Sequence, residues 1–211
     1  MKWFIENLKT LFYALIIAVI IRSLLIQPFY IPSSSMEPNL LVGDRLFVTK
    51  LSYGYSRHSF PFSPPIFDGR ILNSKPSRGD IIVFKTPADN RTDYIKRLVG
   101  LPGDVIQFID GEIYLNNNQI FRTVISKSDE LYCGPQKIEV ITYEEKLPNG
   151  KNYLASYRKD YTFMNSEKYI VPENHFFFLG DNRDCSKDSR FLDEVGYCLL
   201  YTSPSPRDSF R

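Results

Sequence analysis

"DVIQFIDGEIYL", residues 104–115, decides the fold class. Two runs of alternating apolar and polar residues flank Asp110-Gly111. Alternation with period two is the mark of a half-buried strand, and Asp-Gly supplies the positive φ angles that a tight hairpin turn needs. Working outward, "DRLFVTKL" (Asp44–Leu51) and "DIIVFK" (Asp80–Lys85) are short runs rich in β-branched and aromatic residues, as strands prefer. Asn116–Asn118 reads as a further turn, and "HFFFLGDN" (175–182) as a buried strand ending in one. No convincing helical periodicity follows residue 27, and no internal repeat is present. The expected fold is mostly β with one N-terminal helix. Residues 53–72 are rich in aromatics and proline and predict a long extended loop, packed on the core or resting on a membrane surface. Residues 123–170 are polar and weakly patterned, and predict an inserted smaller subdomain of irregular β structure.

The helix is a membrane signal. "LFYALIIAVIIRSLLI" (Leu11–Ile26) is broken only by Arg22 and Ser23. Sixteen helical residues cover about 24 Å, slightly less than the roughly 30 Å hydrocarbon core, and extension back to Trp3 makes up the difference. Trp3 and Tyr13 suit the headgroup level, and Arg22 can snorkel to the near surface. Lys2 and Lys9 precede the span, so the positive-inside rule puts the N-terminus in the cytoplasm and the rest of the chain on the other face. A cleaved signal peptide and a buried core helix are the competing readings; Ser33-Ser34-Ser35 has the small-x-small pattern of a cleavage site.

Composition narrows the function. At 211 residues the chain can bury a sizeable core, and 43% hydrophobic content is that of a folded protein. A net charge of +2 is too balanced to suggest a nucleic-acid partner. The three cysteines, Cys133, Cys185 and Cys198, are too few and scattered for a disulfide framework or zinc site, and leave the redox compartment open. His58 and His175 show no ligand spacing, so neither metal nor cofactor is expected.

Chemistry gathers in three segments. "YIPSSSMEPNL" (30–40) places small hydroxyls between apolar residues, as a linker, a cleavage site or a nucleophile would. A nucleophilic serine needs a base, and without a histidine motif lysine is the candidate. In "DYIKRLVGLPGD" (93–104) alternation puts Tyr94 and Lys96 on one strand face and Ile95 on the other. An ordinary lysine is neutral in only about one molecule in a few thousand at pH 7. Burial can lower its pKa by several units. The bland alternative is a lysine on a solvated face. "GDNRDCSKDSR" (180–190) supplies more hydroxyls and an Asp188–Arg190 pair, and could equally be a charged surface loop.

Taken together, "IPSSSMEPNL", "RGDIIVFK", "DYIKRLVGLPGD" and "GDNRDCSKDSR", in that order after an apolar helix, resemble the bacterial type I signal peptidases. These are membrane-bound Ser–Lys endopeptidases that remove signal peptides. The resemblance covers residues 10 to about 197 and is weakest over 123–170. It implies that Ser35 is the nucleophile and Lys96 the general base. Ser33, with the Ser35 backbone N–H, would form the oxyanion hole. Ser186 would hydrogen-bond and orient the lysine, Asp188 and Arg190 would form a supporting ion pair, and Arg97 follows the base. Phe29, Ile31, Pro32, Met36, Leu40, Val83, Tyr94 and Ile95 would line the substrate pockets. Shallow apolar pockets imply small residues at the cleavage site, as in Ala-x-Ala. A nucleophile nine residues beyond Ile26 would sit near the bilayer surface, where an anchored signal peptide presents its cleavage site. The implied layout is a cytoplasmic N-terminus (1–10), a transmembrane helix (11–27), a catalytic β domain (28–104 and 175–197) and the insert (105–174). Implied partners are signal peptides of secreted preproteins and the lipid bilayer, at the bacterial inner membrane with the catalytic domain on the extracytoplasmic face.

Two departures stand out. Cys185 replaces the asparagine the family most often has, with a mild effect expected. After "DEVGY" the family continues with a Val-Pro turn and another apolar strand, whereas this chain reads "CLLYTSPSPRDSFR" (198–211). That ending has the look of a frameshift, a truncation or a divergent tail. Missing strands would leave an unpaired edge, and the alternative function is then a catalytically impaired or silent membrane-anchored binding module. A self-cleaving repressor is a further Ser–Lys reading, and the apolar helix argues against it.

Overall fold

The apolar N-terminal run forms one helix, α1 (Lys2–Leu24), in a computed structural model that describes residues 2–49, 53–54, 74–86, 89, 91–193 and 195–199. Its apolar stretch Trp3–Ile21 is 19 residues long, with none of it buried in the protein. At 1.5 Å per residue it is about 28 Å long, near the thickness of a bilayer core. The apolar helix thus begins before the 11–27 expected for a span. Helix occupies the chain from Lys2 and ends at Leu24, and Ile26 and Gln27 open a strand instead. Pro28 keeps the helix from continuing, because its ring would clash with the helical carbonyl four residues back, that of Leu24.

Two compact units follow from the contacts, Met1–Tyr30 with Arg45–Lys75, and Ile31–Asp44 with Pro76–Arg211. In the first, β1 (Ile26–Tyr30) pairs antiparallel with β2 (Arg45–Thr49). Phe29 lies in β1 opposite Leu46. Nearly all of the aromatic segment 53–72 lies outside the described residues.

The second unit holds three sheets. Its strands are β3 (Ile81–Lys85), β4 (Asp93–Gly100), β5 (Val105–Ile109), β6 (Glu112–Leu115), β7 (Asn118–Gln119), β8 (Phe121–Cys133), β9 (Gln136–Lys146), β10 (Asn152–Arg158), β11 (Tyr169–Ile170), β12 (His175–Leu179) and β13 (Cys198–Leu199). The sheet orders are β13-β12-β4-β3, β11-β5-β6-β7 and β10-β9-β8. The hairpin read from 104–115 is β5–β6, with Asp110 at φ 50° and Gly111 at φ 77°. Alternation along both strands buries Ile106, Phe108, Ile113 and Leu115. They join Val99, Leu147, Tyr153, Ala155, Tyr157, Val171, Phe177 and Leu179 in one core. Residues 200–211 lie outside the described residues.

The irregular β structure expected over 123–170 is corrected in one respect. Strands β8 and β9 run 13 and 11 residues, their ladder broken only by two register shifts, Val124/Ser126 and Ser126/Asp129, while residues 159–168 are irregular as expected. Most of β8 is exposed. Neither face has to be apolar, so alternation is faint in the sequence although the ladder is long.

One buried ionic cluster ties β9 and β10 to the loop after β12. Arg183 donates to both oxygens of Glu145, at 2.7 and 2.8 Å. Tyr153 and Tyr157 donate to the same carboxylate at 2.6 and 2.5 Å. Burial pushes the Glu145 carboxyl up, but Arg183 and the two phenols outweigh it and hold the group below its usual value. Truncating one partner would strand the other's charge in the interior. Glu145→Ala is therefore expected to cost about 3–5 kcal/mol, read by denaturant unfolding, whereas Lys137→Ala, from an exposed pair, should cost under about 1 kcal/mol.

Candidate active site

Ser35 sits in a single 3₁₀ turn, Ser34–Met36, whose residues are all buried. The chain enters through Ile31, which makes hydrogen bonds to Asp44 and Gly43 and fixes the base of the loop. Pro32 and Ser33 remain exposed. Proline without an N–H and a serine in extended backbone suit that entry. The turn is held from outside by the loop after β12. The Asn182 backbone N–H donates to the Ser35 carbonyl at 3.1 Å, and its side-chain amide donates to the Ser34 carbonyl at 3.1 Å.

Lys96 comes from β4, paired with Ile82 of β3. Registered partners share a face, so Ile82, Phe84, Tyr94, Lys96 and Leu98 lie together, while Val83 and Ile95 lie on the opposite face. Lys96 is only 3% exposed. Its Nζ lies 2.5 Å from Ser35 Oγ and donates to it, with the Tyr94 ring centroid 5.4 Å away. Burial pushes the amine down from 10.5 to about 8, against the carboxylates of Asp188 and Asp181 and with some help from Arg190. Among the described residues Lys96 has no ion pair.

Around this pair the charges are matched. Arg190 donates to Asp188 through Nε and Nη2 at 2.8 and 2.9 Å, and Asp188 accepts from the Gly180 N–H at 3.0 Å. Arg97 grips both oxygens of Asp181 at 2.7 Å and reaches the Gly79 carbonyl at 2.8 Å. Asn39 completes that carboxylate at 2.8 Å. Forked pairs of this kind fix geometry as well as charge. Gly180 is needed for space. A Cβ there would stand 2.2 Å from Ser186 Oγ and 2.6 Å from the Ser35 carbonyl oxygen.

Other expected positions are placed as follows. The Ser33 hydroxyl is 3.4 Å from Ser35 Oγ. Met36 and Ile31 are buried, whereas Leu40, Val83, Tyr94 and Ile95 are half-buried. Phe29 belongs to the other unit. Ser186 is buried near Gly180, but its hydroxyl has no hydrogen-bond partner. The bond expected from it to Lys96 is not made; the lysine bonds Ser35. A cavity of about 490 Å³ lies behind Arg190, lined by Phe163, Tyr169, Phe191 and Tyr197, and contains neither Ser35 nor Lys96.

Sequence reasoning missed Asp181, Asn182 and Glu37, since each role depends on a partner far along the chain. It also set the cysteines aside. Cys133 and Cys185 form a disulfide across 52 residues, with Cα atoms 5.3 Å apart. The β8–β9 hairpin carries Cys133 to the loop, a pairing no spacing rule could reveal.

A buried hydroxyl beside a desolvated, unpaired amine can act as nucleophile and base. Comparison with known proteins supplies the family. The family model for signal peptidase, peptidase S26, matches residues 4–200. Signal peptidase I of Rickettsia typhi is 44% identical over 188 residues, 84% of this chain and 69% of the relative. That of Rickettsia canadensis is 43% identical over 195 residues, 88% and 72% of the two chains. A crystal structure of a signal peptidase I from Enterococcus faecalis V583 shares 27% identity over 60% of this chain and 92% of that one, with a TM-score of 0.35. The chain belongs to the signal peptidase family, peptidase S26, and is a serine-type peptide-bond hydrolase.

The lowered Lys96 pKa has a stability signature. The unfolded chain holds the lysine proton up to about 10.5 and the folded chain only to about 8. Between those values the unfolded state binds more protons, so stability rises with pH. Relative to Lys96→Met, the parent should gain up to about 1.4 kcal/mol per pH unit between pH 8 and 9.5 in urea titrations. A constant difference would mean an ordinary lysine.

Proposed function

We propose that this protein is a membrane-anchored endopeptidase that removes signal peptides from secreted preproteins with a Ser35–Lys96 dyad. The observation that carries the reading is the 2.5 Å contact between Lys96 Nζ and Ser35 Oγ at a buried, unpaired amine. With a pKa of about 8, roughly one amine in ten is neutral at pH 7. The neutral amine accepts the Ser35 proton as Oγ attacks the scissile carbonyl. The Ser35 N–H and the Ser33 hydroxyl stabilise the oxyanion, each donor contributing about 3 kcal/mol. Lys96 then protonates the leaving amine, and water, deprotonated in turn by Lys96, hydrolyses the acyl-enzyme. Asp188, Arg190, Arg97 and Ser186 hold the loops that present the pair. The substrate's small side chains rest against Ile31, Pro32, Met36, Leu40, Val83, Tyr94 and Ile95, which favours Ala-x-Ala. These residues fall in 28–104 and 175–197, and the insert 105–174 supports them.

The exposed apolar helix supports an anchored enzyme. Lys2 and Lys9 support a cytoplasmic N-terminus. The Cys133–Cys185 disulfide supports a catalytic unit outside the cytoplasm, because such bonds persist in oxidising surroundings.

Detergent-solubilised parent should cut an Ala-x-Ala peptide after the second alanine, with products identified by mass spectrometry. Ser35→Ala and Lys96→Ala should each lose about 10³-fold or more in kcat. The parent rate should climb about tenfold per pH unit below pH 8 and level off above it. Variants that cut at the parent rate would sink the assignment.

A further inference from the structure

The serine turn, the 180–186 loop and the tip of the β8–β9 hairpin form a closed circuit. Asn182 bonds the turn at two carbonyls. The same Asn182 amide donates to the Tyr132 carbonyl at 3.1 Å, and the neighbouring Cys133 is covalently joined to Cys185. The circuit returns to its start through the Tyr132 N–H, which donates to Glu37 Oε2 at 3.1 Å, two residues beyond Ser35. Tyr132 is 46% exposed, and both cysteines are half-buried. The Asn182 bonds to the turn are buried, whereas the bonds that Tyr132 makes stand at a part-exposed rim where water competes; at that rim the disulfide is the covalent link. Cys185 also directly precedes Ser186, which packs against Gly180.

We propose that Cys133 and Cys185 are positioning residues for the peptidase reaction. Their bond clamps the hairpin tip onto the 180–186 loop and so holds the Ser35 hydroxyl within reach of Lys96, in a pocket dry enough to keep that amine a base. The inference rests on the dyad reading above. Without the clamp the loop has slack, Ser35 drifts from Lys96, and water enters the pocket. Misplacement of reacting groups by about 1 Å can cost around a hundredfold in rate. The pocket residues of β3 and β4 lie outside the circuit, whereas Met36 lies in the serine turn itself, so kcat falls further than KM rises.

The test uses the full chain in detergent with the Ala-x-Ala peptide. Cys133→Ser, Cys185→Ser and the double variant are compared with the parent, with Ser35→Ala run alongside. The expected result is a fall in kcat of about ten- to a hundredfold with a smaller rise in KM. The acid limb of the pH–rate profile should move upward from pH 8 as the lysine is rehydrated. A dithiol reductant, which takes up the oxidising equivalents as its own disulfide and leaves two protein thiols, should reproduce the loss in the parent and leave the double variant unchanged. Melting curves separate loss of fold from loss of position. Unchanged kcat and pH profile in folded variants would overturn the clamp while Ser35→Ala still tested the dyad. Activity retained by Ser35→Ala would instead overturn the dyad reading. Loss of fold in both the variants and the reduced parent would also overturn the proposal, since the bond would then serve the whole unit rather than the serine.

Discussion

Burying an amine that, among the described residues, has no carboxylate of its own is the constraint around which the second unit is arranged. Lys96 lies 3% exposed on a central strand, and an isolated charge there is costly. The protein answers by lowering the pKa rather than by supplying an ion partner. Everything close by has to tolerate a lysine that is charged in one moment and neutral in the next.

The neighbouring charges show how this is kept stable. Arg97 is spent on Asp181, Arg190 on Asp188 and Arg183 on Glu145, each pair buried and each doubly bonded. Each guanidinium also reaches a backbone carbonyl, on Gly79, Arg183 or Gly180. Asp181 and Asp188 therefore have their oxygens occupied, and act on the lysine only at a distance. A carboxylate freed to pair with Lys96 would restore the charged ammonium and remove the base. The matched pairs thus serve reactivity by keeping anions away from the amine as much as by holding loops.

The strands, the apolar helix and the hairpin at Asp110-Gly111 were legible in the sequence because each rests on a local period or turn. Ser35 and Lys96 could be named from motifs, and the fold brings them together. What was hidden depends on long-range approach. Glu145 stands in a polar strand with no local sign that Arg183 will cover it. Cys133 and Cys185 are separated by four strands, β9 to β12. The expected Ser186–Lys96 bond failed for a related reason. Motif order names the side chains of the site but not which of two hydroxyls the lysine turns to.

Gly180 carries one last consequence. It has no titratable atom and touches no substrate in this scheme, yet the space where its side chain would be is already filled by Ser186 and the Ser35 carbonyl. Even alanine, the smallest change available, would wedge the two loops apart. In a saturation survey of the gene, position 180 would stand among the least permissive codons, and the missing methyl group, rather than any ionisable atom, would be what selection guards there.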